Sequence, residues 1–142
     1  MIRPCPSCGV KNRIPAERLA DTGRCGKCKA PLPPAAEPIE ADPQSFDEIT
    51  RGARVPVLVD FWADWCAPCR MAAPAVQRTA RDMAGRALVL KVDTEKHPEL
   101  ARRFGVSGIP NFLVLRDGRT VVQQAGLVGG EQMAEWLRQA GA

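Results

Sequence analysis

The stretch "VPVLVDFWADWCAPC", residues 55–69, decides how this chain folds. Its first nine residues are almost wholly apolar, and a run of that length is typical of a buried strand. Cys66 and Cys69 follow, and Pro68 suits the first turn of a helix, where its missing N–H has no intrahelical partner to lose. Two cysteines separated by two residues at a strand-to-helix junction indicate redox chemistry. The junction also puts Cys66 at a helix N-terminus, where free N–H groups and the helix dipole stabilise a thiolate.

Strand and helix patterns alternate through the rest of the chain, and helices on both faces of a mixed sheet, an α/β fold, are therefore expected. Ser45 is the expected N-cap of the first helix, with Glu48 completing a capping box. In chain order the pattern predicts a strand within 38–41, a helix at 45–52, a strand at 55–63, a helix from 67 to Gly85 kinked at Pro74, a strand at 86–93, a helix that begins at His97, a hairpin that turns at Asp117-Gly118 and a final amphipathic helix over 129–142.

Four further cysteines form two more Cys-x-x-Cys pairs near the start of the chain. Sixteen residues separate the two pairs, and this spacing lies within the range of zinc sites. Each short turn directs two thiolates toward one point, so two such turns complete a closed tetrahedral site for one structural zinc ion. The alternative is four free or disulfide-bonded thiols. The predicted zinc ligands are Cys5, Cys8, Cys25 and Cys28, and His97 is not expected at the metal.

The composition indicates one packed core with a small appendage. The chain has 142 residues, of which 45% are hydrophobic and 25% are charged, and these values are typical of globular proteins. Five prolines fall within residues 30–43, and proline at that density favours extended, semi-rigid chain. We therefore divide the chain into a four-cysteine zinc-binding module at 1–30, a Pro-rich linker at 31–37 and an α/β domain at 38–142.

Charge and hydropathy restrict the partners and the location. Residues 1–34 carry a net charge of +5 and the rest of the chain −1, so a basic zinc module that binds nucleic acid is an alternative function. Few aromatic residues interleave the basic ones, which argues against a stacking platform, and no nucleic-acid partner is expected. No apolar run is as long as a membrane span, and the first residues lack the apolar core of a secretory signal. The expected location is the cytoplasm, where Cys-x-x-Cys pairs usually bind metal or do redox work.

The segment "VDFWADWCAPCRMAAP", residues 59–74, resembles the active-site segment of thioredoxins. The resemblance continues in order through "KVDTEK", "FGVSGIPNFLVLRDG" and "AGLVGG", and the N-terminal cysteines make the whole chain similar to the thioredoxin 2 type, which has a zinc-binding extension. The resemblance implies a thioredoxin fold and a protein-disulfide reductase in which Cys66 attacks and Cys69 resolves. Thioredoxins usually have Gly-Pro between these cysteines, and Ala67 here bears on the reduction potential more than on activity.

The resemblance also assigns roles outside the Cys-x-x-Cys motif. Asp60 lies on a strand with two apolar faces, where desolvation raises the pKa of a carboxyl group, and the resemblance makes it the proton acceptor for Cys69. The alternative is that Asp60 caps a nearby turn. Lys91 either pairs with Asp60 or extends toward solvent. Pro110 corresponds to the cis-proline of the family, and the residues expected to contact substrate are Trp65, Ala67, Pro68, Ile109 and Gly126.

The implied partners are disulfide-containing proteins and an NADPH-dependent thioredoxin reductase. We expect a monomer without an organic cofactor, with Cys66 exposed and Cys69 shielded by the start of the helix. A third interpretation is an oxidative-stress sensor whose zinc thiolates release the metal on oxidation. This sensing role is compatible with the reductase function.

Overall fold

The structure is a computed structural model that describes residues 1–142. The N-terminal module contains two antiparallel hairpins joined by a short 3-10 turn at Ala16–Arg18. The hairpin strands are β1 (Ile2–Pro4), β2 (Lys11–Arg13), β3 (Gly23–Arg24) and β4 (Pro31–Leu32). None of the helices combines the length and the apolar character needed to cross a membrane.

The larger part of the chain forms one five-stranded sheet with helices on both faces. The strand order is β5-β7-β6-β8-β9; β5, β7 and β6 run parallel, whereas β8 and β9 continue the sheet antiparallel. The strands are β5 (Ile39–Glu40), β6 (Val57–Trp62), β7 (Leu88–Asp93), β8 (Asn111–Arg116) and β9 (Arg119–Ala125). The helices are α1 (Pro43–Gly52), α2 (Ala67–Asp82), α3 (Pro98–Arg103) and α4 (Gly130–Gln139).

The central strand β6 is buried on both faces because its side chains alternate between two apolar cores. Val57, Val59 and Phe61 pack on the side covered by α1 and α3. Leu58 faces the other side, where it meets apolar residues of α2 and α4. The apolar run at 55–63 is therefore confirmed as a buried strand, and it delivers the Cys-x-x-Cys segment to the end of the sheet.

The start of α1 differs from the expected one. Asp42, not Ser45, is the N-cap: its Oδ1 accepts a hydrogen bond from the Ser45 N–H (2.8 Å), and Ser45 Oγ accepts one from the Asp42 N–H (3.0 Å). Pro43 at the first helical position has the φ that a helix needs, so the helix begins there. Glu48 instead accepts a hydrogen bond from Gln44, one turn earlier.

Two other predicted boundaries can be compared with the structure. The hairpin does turn at Asp117-Gly118, where both residues have positive φ (53° and 76°), as a two-residue turn between right-twisted strands requires. Helix α2 contains Pro74 but ends at Asp82 rather than continuing to Gly85. Gly85 lies beyond it in the left-handed region, with φ 85°.

The N-terminal module packs against the sheet domain through Leu19. This residue is 2% exposed and belongs to the same apolar core as Phe46 and Ile49 of α1. Its carbonyl accepts a hydrogen bond from the Ala35 N–H (2.9 Å), and Ala35 is itself buried. The segment 31–37 is therefore anchored through its buried residues Leu32 and Ala35, and its first two residues form strand β4 of the module.

The module lies at the end of the molecule remote from the Cys-x-x-Cys segment. A Cβ on Gly52, the last residue of α1, would lie 3.4 Å from the backbone N of Glu17. A Cβ on Gly85, just past the end of α2, would lie 3.6 Å from Pro34. Cys66 caps the opposite end of the 16-residue α2, so about 24 Å of helix separates the two regions.

Candidate active site and metal centre

Cys66 and Cys69 form a disulfide at the N-terminus of α2. Cys66 is the N-cap residue, and its Sγ accepts a hydrogen bond from the Cys69 N–H (3.2 Å). This is the position where an α-helix has N–H groups without intrahelical partners. An anionic sulfur on Cys66 after reduction would therefore be stabilised by both this N–H and the helix dipole.

Both sulfur-bearing residues are covered, so the expected exposure of Cys66 is wrong for the disulfide form. Cys66 is 3% exposed and Cys69 is 5% exposed. The cause is the loop that carries Ile109 and Pro110, whose chain passes close to the disulfide. The Ile109 carbonyl oxygen lies 3.7 Å from the Cys66 Sγ.

The loop opposite the disulfide brings together three residues that the sequence places far from Cys66. The Ile109–Pro110 peptide bond is cis. The Pro110 carbonyl accepts a hydrogen bond from the Gly126 N–H (2.8 Å), which holds the start of the β9–α4 connection beside the loop. Gly126 has φ 99°, a conformation that side chains with a Cβ rarely adopt.

Exposed apolar side chains occur in the segments next to the disulfide. Trp65 is 66% exposed, and its indole N–H donates to Glu95 Oε1 (2.7 Å). Met71 and Leu127 are also exposed. Met71 and Leu127 were missed from the sequence, because nothing in the pattern distinguishes an exposed apolar residue near a site from one in the core. Glu95 was missed because its contact with Trp65 joins residues 30 positions apart.

Asp60 is the buried carboxylate that the strand pattern predicted. It is 1% exposed, and its Oδ1 has no hydrogen-bond partner. Burial raises the pKa of Asp60 to about 7, and the positive charge of Lys91 offsets only part of this effect. A carboxyl group with this pKa can accept or release a proton near neutral pH. Asp60 accepts no hydrogen bond from a backbone N–H, so it does not cap a turn.

Lys91 is the register partner of Asp60 on the neighbouring strand, but it forms no ion pair within 4.0 Å. Its Nζ instead lies 4.4 Å from the centre of the Trp62 ring, a cation–π distance. Glu40 is the register partner of Lys91 on its other side, and burial raises the pKa of Glu40. Glu40 was missed from the sequence, because this arrangement depends on the strand order.

The four N-terminal cysteines converge on one point. Their Sγ atoms all lie within 4.8 Å of one another. Cys5 and Cys28 are 3.7 Å apart, and Cys8 and Cys25 are 3.6 Å apart, both sulfur to sulfur. Zinc–sulfur bonds of about 2.3 Å in a tetrahedron require sulfur–sulfur distances of about 3.8 Å. The cluster therefore fits a zinc ion, and its four thiols are not in disulfides.

The electrostatics of the cluster also favour a cation. The backbone N–H of Cys28 is the main cause that lowers the pKa of Cys25 to about 6. The backbone at Val10 acts in the same direction on Cys8, but burial and the three neighbouring cysteines raise the Cys8 pKa to about 12. Four sulfurs this close cannot all be thiolates without a positive charge among them.

Asn12 connects the two cysteine turns and was also missed from the sequence. Its Oδ1 accepts a hydrogen bond from the Gly26 N–H (3.0 Å), and its Nδ2 lies 3.7 Å from the Cys25 Sγ. Residues that orient metal ligands in this way support the metal site from outside the ligand set. An asparagine in a short polar strand gives no sequence signal for this contact.

Comparison with known proteins covers both parts of the chain. The family model described as Thioredoxin matches residues 37–139, and the one described as Thioredoxin 2, N-terminal, matches residues 4–30. Thioredoxin C-3 of Corynebacterium nephridii is 38% identical over 139 residues, which cover 98% of this chain and 94% of that protein. Thioredoxin 1 of Chlorobaculum tepidum is 39% identical over 97 residues, which cover 68% of this chain and 96% of that protein.

The fold has a match among solved structures. A single-residue mutant of thioredoxin from Halobacterium salinarum NRC-1 superposes with a TM-score of 0.71 at 30% identity, covering 76% of this chain and 94% of that one. The mixed sheet flanked by helices, which the resemblance implied, is confirmed. The four-cysteine cluster is in turn consistent with the zinc-ribbon module.

Proposed function

The chain belongs to the thioredoxin family and is a thiol-disulfide oxidoreductase with an N-terminal zinc-ribbon module, and we propose that it reduces protein disulfides by using Cys66 as the attacking thiol. The observation that carries this assignment is the position of Cys66 as the N-cap of α2, with its Sγ facing the Cys69 N–H at 3.2 Å. A thiolate is stabilised there and is the nucleophile in thiol–disulfide exchange.

The first step joins the enzyme to its target. The Cys66 thiolate attacks one sulfur of the target disulfide, that disulfide breaks, and the second target sulfur leaves as a thiolate. The target chain lies along the Ile109–Pro110 loop, where the backbone of Ile109 offers hydrogen bonds to an extended segment. Trp65, Ala67, Pro68, Ile109 and Gly126 are the residues that we propose to contact it, and the exposure of Trp65 supports this proposal.

The second step releases the target. Asp60 accepts the proton of the Cys69 thiol, and the Cys69 thiolate attacks the Cys66 sulfur of the mixed disulfide. The bond from Cys66 to the target breaks, so the target leaves with both sulfurs reduced and Cys66 and Cys69 are oxidised to their disulfide. Lys91 tunes the charge state of Asp60, and Pro110 positions the loop against the reacting sulfurs.

We propose one zinc ion, held by Cys5, Cys8, Cys25 and Cys28, within an N-terminal module that includes residues 1–30 and, through strand β4, Pro31–Leu32. Residues 33–37 then join it to the catalytic domain at 38–142. Four thiolate ligands leave no open position for water, so the metal supplies folding free energy rather than chemistry. The convergence of the four sulfurs supports this assignment. Oxidation of the same thiolates would release zinc, which is the basis for a sensing role.

The proposed partners are cytoplasmic proteins with disulfides and, for regeneration of the dithiol, an NADPH-dependent thioredoxin reductase. Membership of the thioredoxin family supports both partners. The three Cys-x-x-Cys pairs support a reducing location, where such pairs usually bind metal or do redox work. We further propose that the chain acts as a monomer.

A trapping experiment tests the order of the two thiols. Cys69→Ser lacks the resolving thiol, so the mixed disulfide on Cys66 should persist. Cys66→Ser keeps only the thiol one turn inside α2 and should rarely capture a target. Each immobilised variant is exposed to a cytosolic extract, and the retained proteins are released by a reductant and compared by electrophoresis. Equal capture by the two variants would reverse or abolish the assignment of attacker and resolver.

A further inference from the structure

A cavity of about 110 Å³ opens in the N-terminal module, remote from the disulfide. Its hydrophobic lining is formed by Ile14 together with the nearly buried Leu19 and Leu32, and Pro15 and Pro33 border it. Three arginines from three different elements also line it, namely Arg3 of β1, Arg18 of the 3-10 turn and Arg24 of β3, together with one acidic residue, Asp21. An apolar floor and a cationic rim are thus combined in one concave surface.

Two of the three arginines, Arg18 and Arg24, are only weakly engaged by the protein's own acidic groups. Arg18 lies 3.7 Å from Asp21, and both side chains are about half exposed. Arg3 is held more firmly, since its side chain is only 20% exposed and it donates a hydrogen bond to Glu37 (3.3 Å). Arg24 contacts no carboxylate within 4.0 Å and donates only to the carbonyl of Lys29. An exposed ion pair such as Arg18–Asp21 contributes at most about 1 kcal/mol, so a ligand with its own carboxylates can replace it and can also bind Arg24.

We propose that this cavity is a docking site for a short acidic peptide segment of a partner protein, one in which an apolar side chain is flanked by Asp or Glu. Such a segment satisfies both halves of the surface at once. Its apolar side chain covers the floor, and its carboxylates form the bidentate pairs that guanidinium groups favour. The net charge of +5 on residues 1–34 attracts a partner of this kind.

The position of the cavity allows a partner to bind there while its disulfide reacts with Cys66. It lies near the end of α2 that is remote from Cys66, about 24 Å away by helix length. A partner held there leaves the disulfide face free, so its own disulfide can reach Cys66 at a raised local concentration. The cavity is formed between the two cysteine hairpins, and its shape therefore depends on the zinc site that holds these hairpins together.

The test is a titration of the zinc-loaded, oxidised full chain, labelled with ¹⁵N, with a synthetic Asp-Glu-Leu-Asp-Glu peptide. Saturable amide shifts are expected at the cavity, around Thr22, Gly23 and Leu32, and not at the disulfide. Replacing the peptide leucine by alanine, or its acidic residues by lysine, should weaken or abolish the shifts. Added salt should also weaken binding, since the contacts are charged and solvent-accessible.

Matched variants separate this site from general attraction to a basic surface. The double variant Arg18→Gln/Arg24→Gln should bind about tenfold more weakly, because it removes two exposed charge contacts. Arg78→Gln/Arg102→Gln removes the same charge from α2 and α3, outside the cavity, and should bind like the wild type. Unchanged amide spectra and zinc content confirm that each variant is folded.

Three results would overturn the proposal. No shift at millimolar peptide would mean that the cavity binds no acidic segment. Equal weakening by both double variants would reduce the effect to net charge. Inorganic phosphate or an oligothymidylate that gives the same shifts at lower concentration than the peptide would make the cavity a phosphate or nucleic-acid site instead.

Discussion

Asp60 places a carboxyl group on a buried sheet face where one of its oxygens has no hydrogen-bond partner. Its folded pKa of about 7 lies above its ordinary value of 3.8 because burial disfavours the charged form. The folded state thus binds this proton more tightly than the unfolded chain does. Stability associated with Asp60 is present at low pH and is lost as the pH rises from about 3.8 through about 7.

The variant Asp60→Asn should remove this loss. At pH 8 it should be more stable than the wild type by up to about 4 kcal/mol, and the difference should shrink toward pH 5.5. It should also reduce disulfides more slowly, since the proton acceptor is gone. Urea unfolding of the oxidised, zinc-loaded proteins between pH 5.5 and 8.5 measures the stability difference, with the exposed Asp82→Asn as control. Parallel pH profiles for wild type and Asp60→Asn would contradict a buried, titrating Asp60.

Lys91 lies between two carboxylates, Asp60 on one neighbouring strand and Glu40 on the other. Its charge lowers the pKa of Asp60 and the charge of Glu40 raises it. Lys91→Gln should therefore raise the Asp60 pKa further, whereas Glu40→Gln should lower it slightly, because solvent screens the half-exposed Glu40. Asp93 and Lys96 also act on Glu40 and stay unchanged in both variants.

Carbon-13 NMR titration of the Asp60 carboxyl group measures both shifts directly. The surface variant Glu48→Gln on α1 is the matched control and should leave the Asp60 midpoint where it is. Shifts of the Asp60 pKa in the same direction in Lys91→Gln and Glu40→Gln would contradict the opposite charge effects of these two residues.

At the scale of elements, the three Cys-x-x-Cys turns lead into different secondary structures. Cys66 begins a 16-residue helix, whereas each N-terminal turn is closed by a hairpin. In the reduced, zinc-loaded protein only Cys66 and Cys69 should react readily with a thiol reagent. A strong chelator should release one zinc per chain and expose four more thiols. Six thiols that react together before chelation would contradict the zinc site.

Local signals in the sequence were enough to predict most elements. The apolar run of β6, the turn at Asp117-Gly118 and the helix start at residue 67, with Pro68 in its first turn, each depend on neighbouring residues alone, and each is found in the structure. The cap of α1 was misplaced because Asp42 and Ser45 are both good caps and each bonds to the other. Periodicity could not distinguish between them.

Features that depend on contacts between distant residues could not be predicted. Cys66 is covered by the carbonyl of Ile109, 43 residues later in the chain. Lys91 lies over Trp62 because Trp62 is on the same face of β6 as Asp60, the register partner of Lys91, and two residues further along the strand. The docking of Leu19 depends on how the module meets α1, and a leucine in a short polar segment gives no sign of its partner. These contacts depend on the order of the strands and the path of the loops. The motifs predict both only through the resemblance to the thioredoxin family.

At the scale of the whole molecule, the zinc module and the sheet domain share one apolar core. Leu19 is 2% exposed within the cluster that includes Phe46 and Ile49. Removing a buried leucine side chain down to alanine typically costs about 2–5 kcal/mol. Leu19→Ala should therefore destabilise the sheet domain by that order, although the residue lies outside it in sequence and far from the disulfide.

The measurement is thermal and urea unfolding of the zinc-loaded proteins, followed by signals from both parts of the chain. Tryptophan fluorescence reports on the sheet domain, where all three tryptophans lie, and zinc release to a chromogenic chelator reports on the module. One shared transition is expected for the wild type, because a common core couples the two parts. The exposed Ile2→Ala removes a side chain of similar size from the same module and should change stability by less than about 0.5 kcal/mol. Two separate transitions, or equal effects of Leu19→Ala and Ile2→Ala, would show that the module is an independent unit and that its contact with α1 contributes nothing to stability.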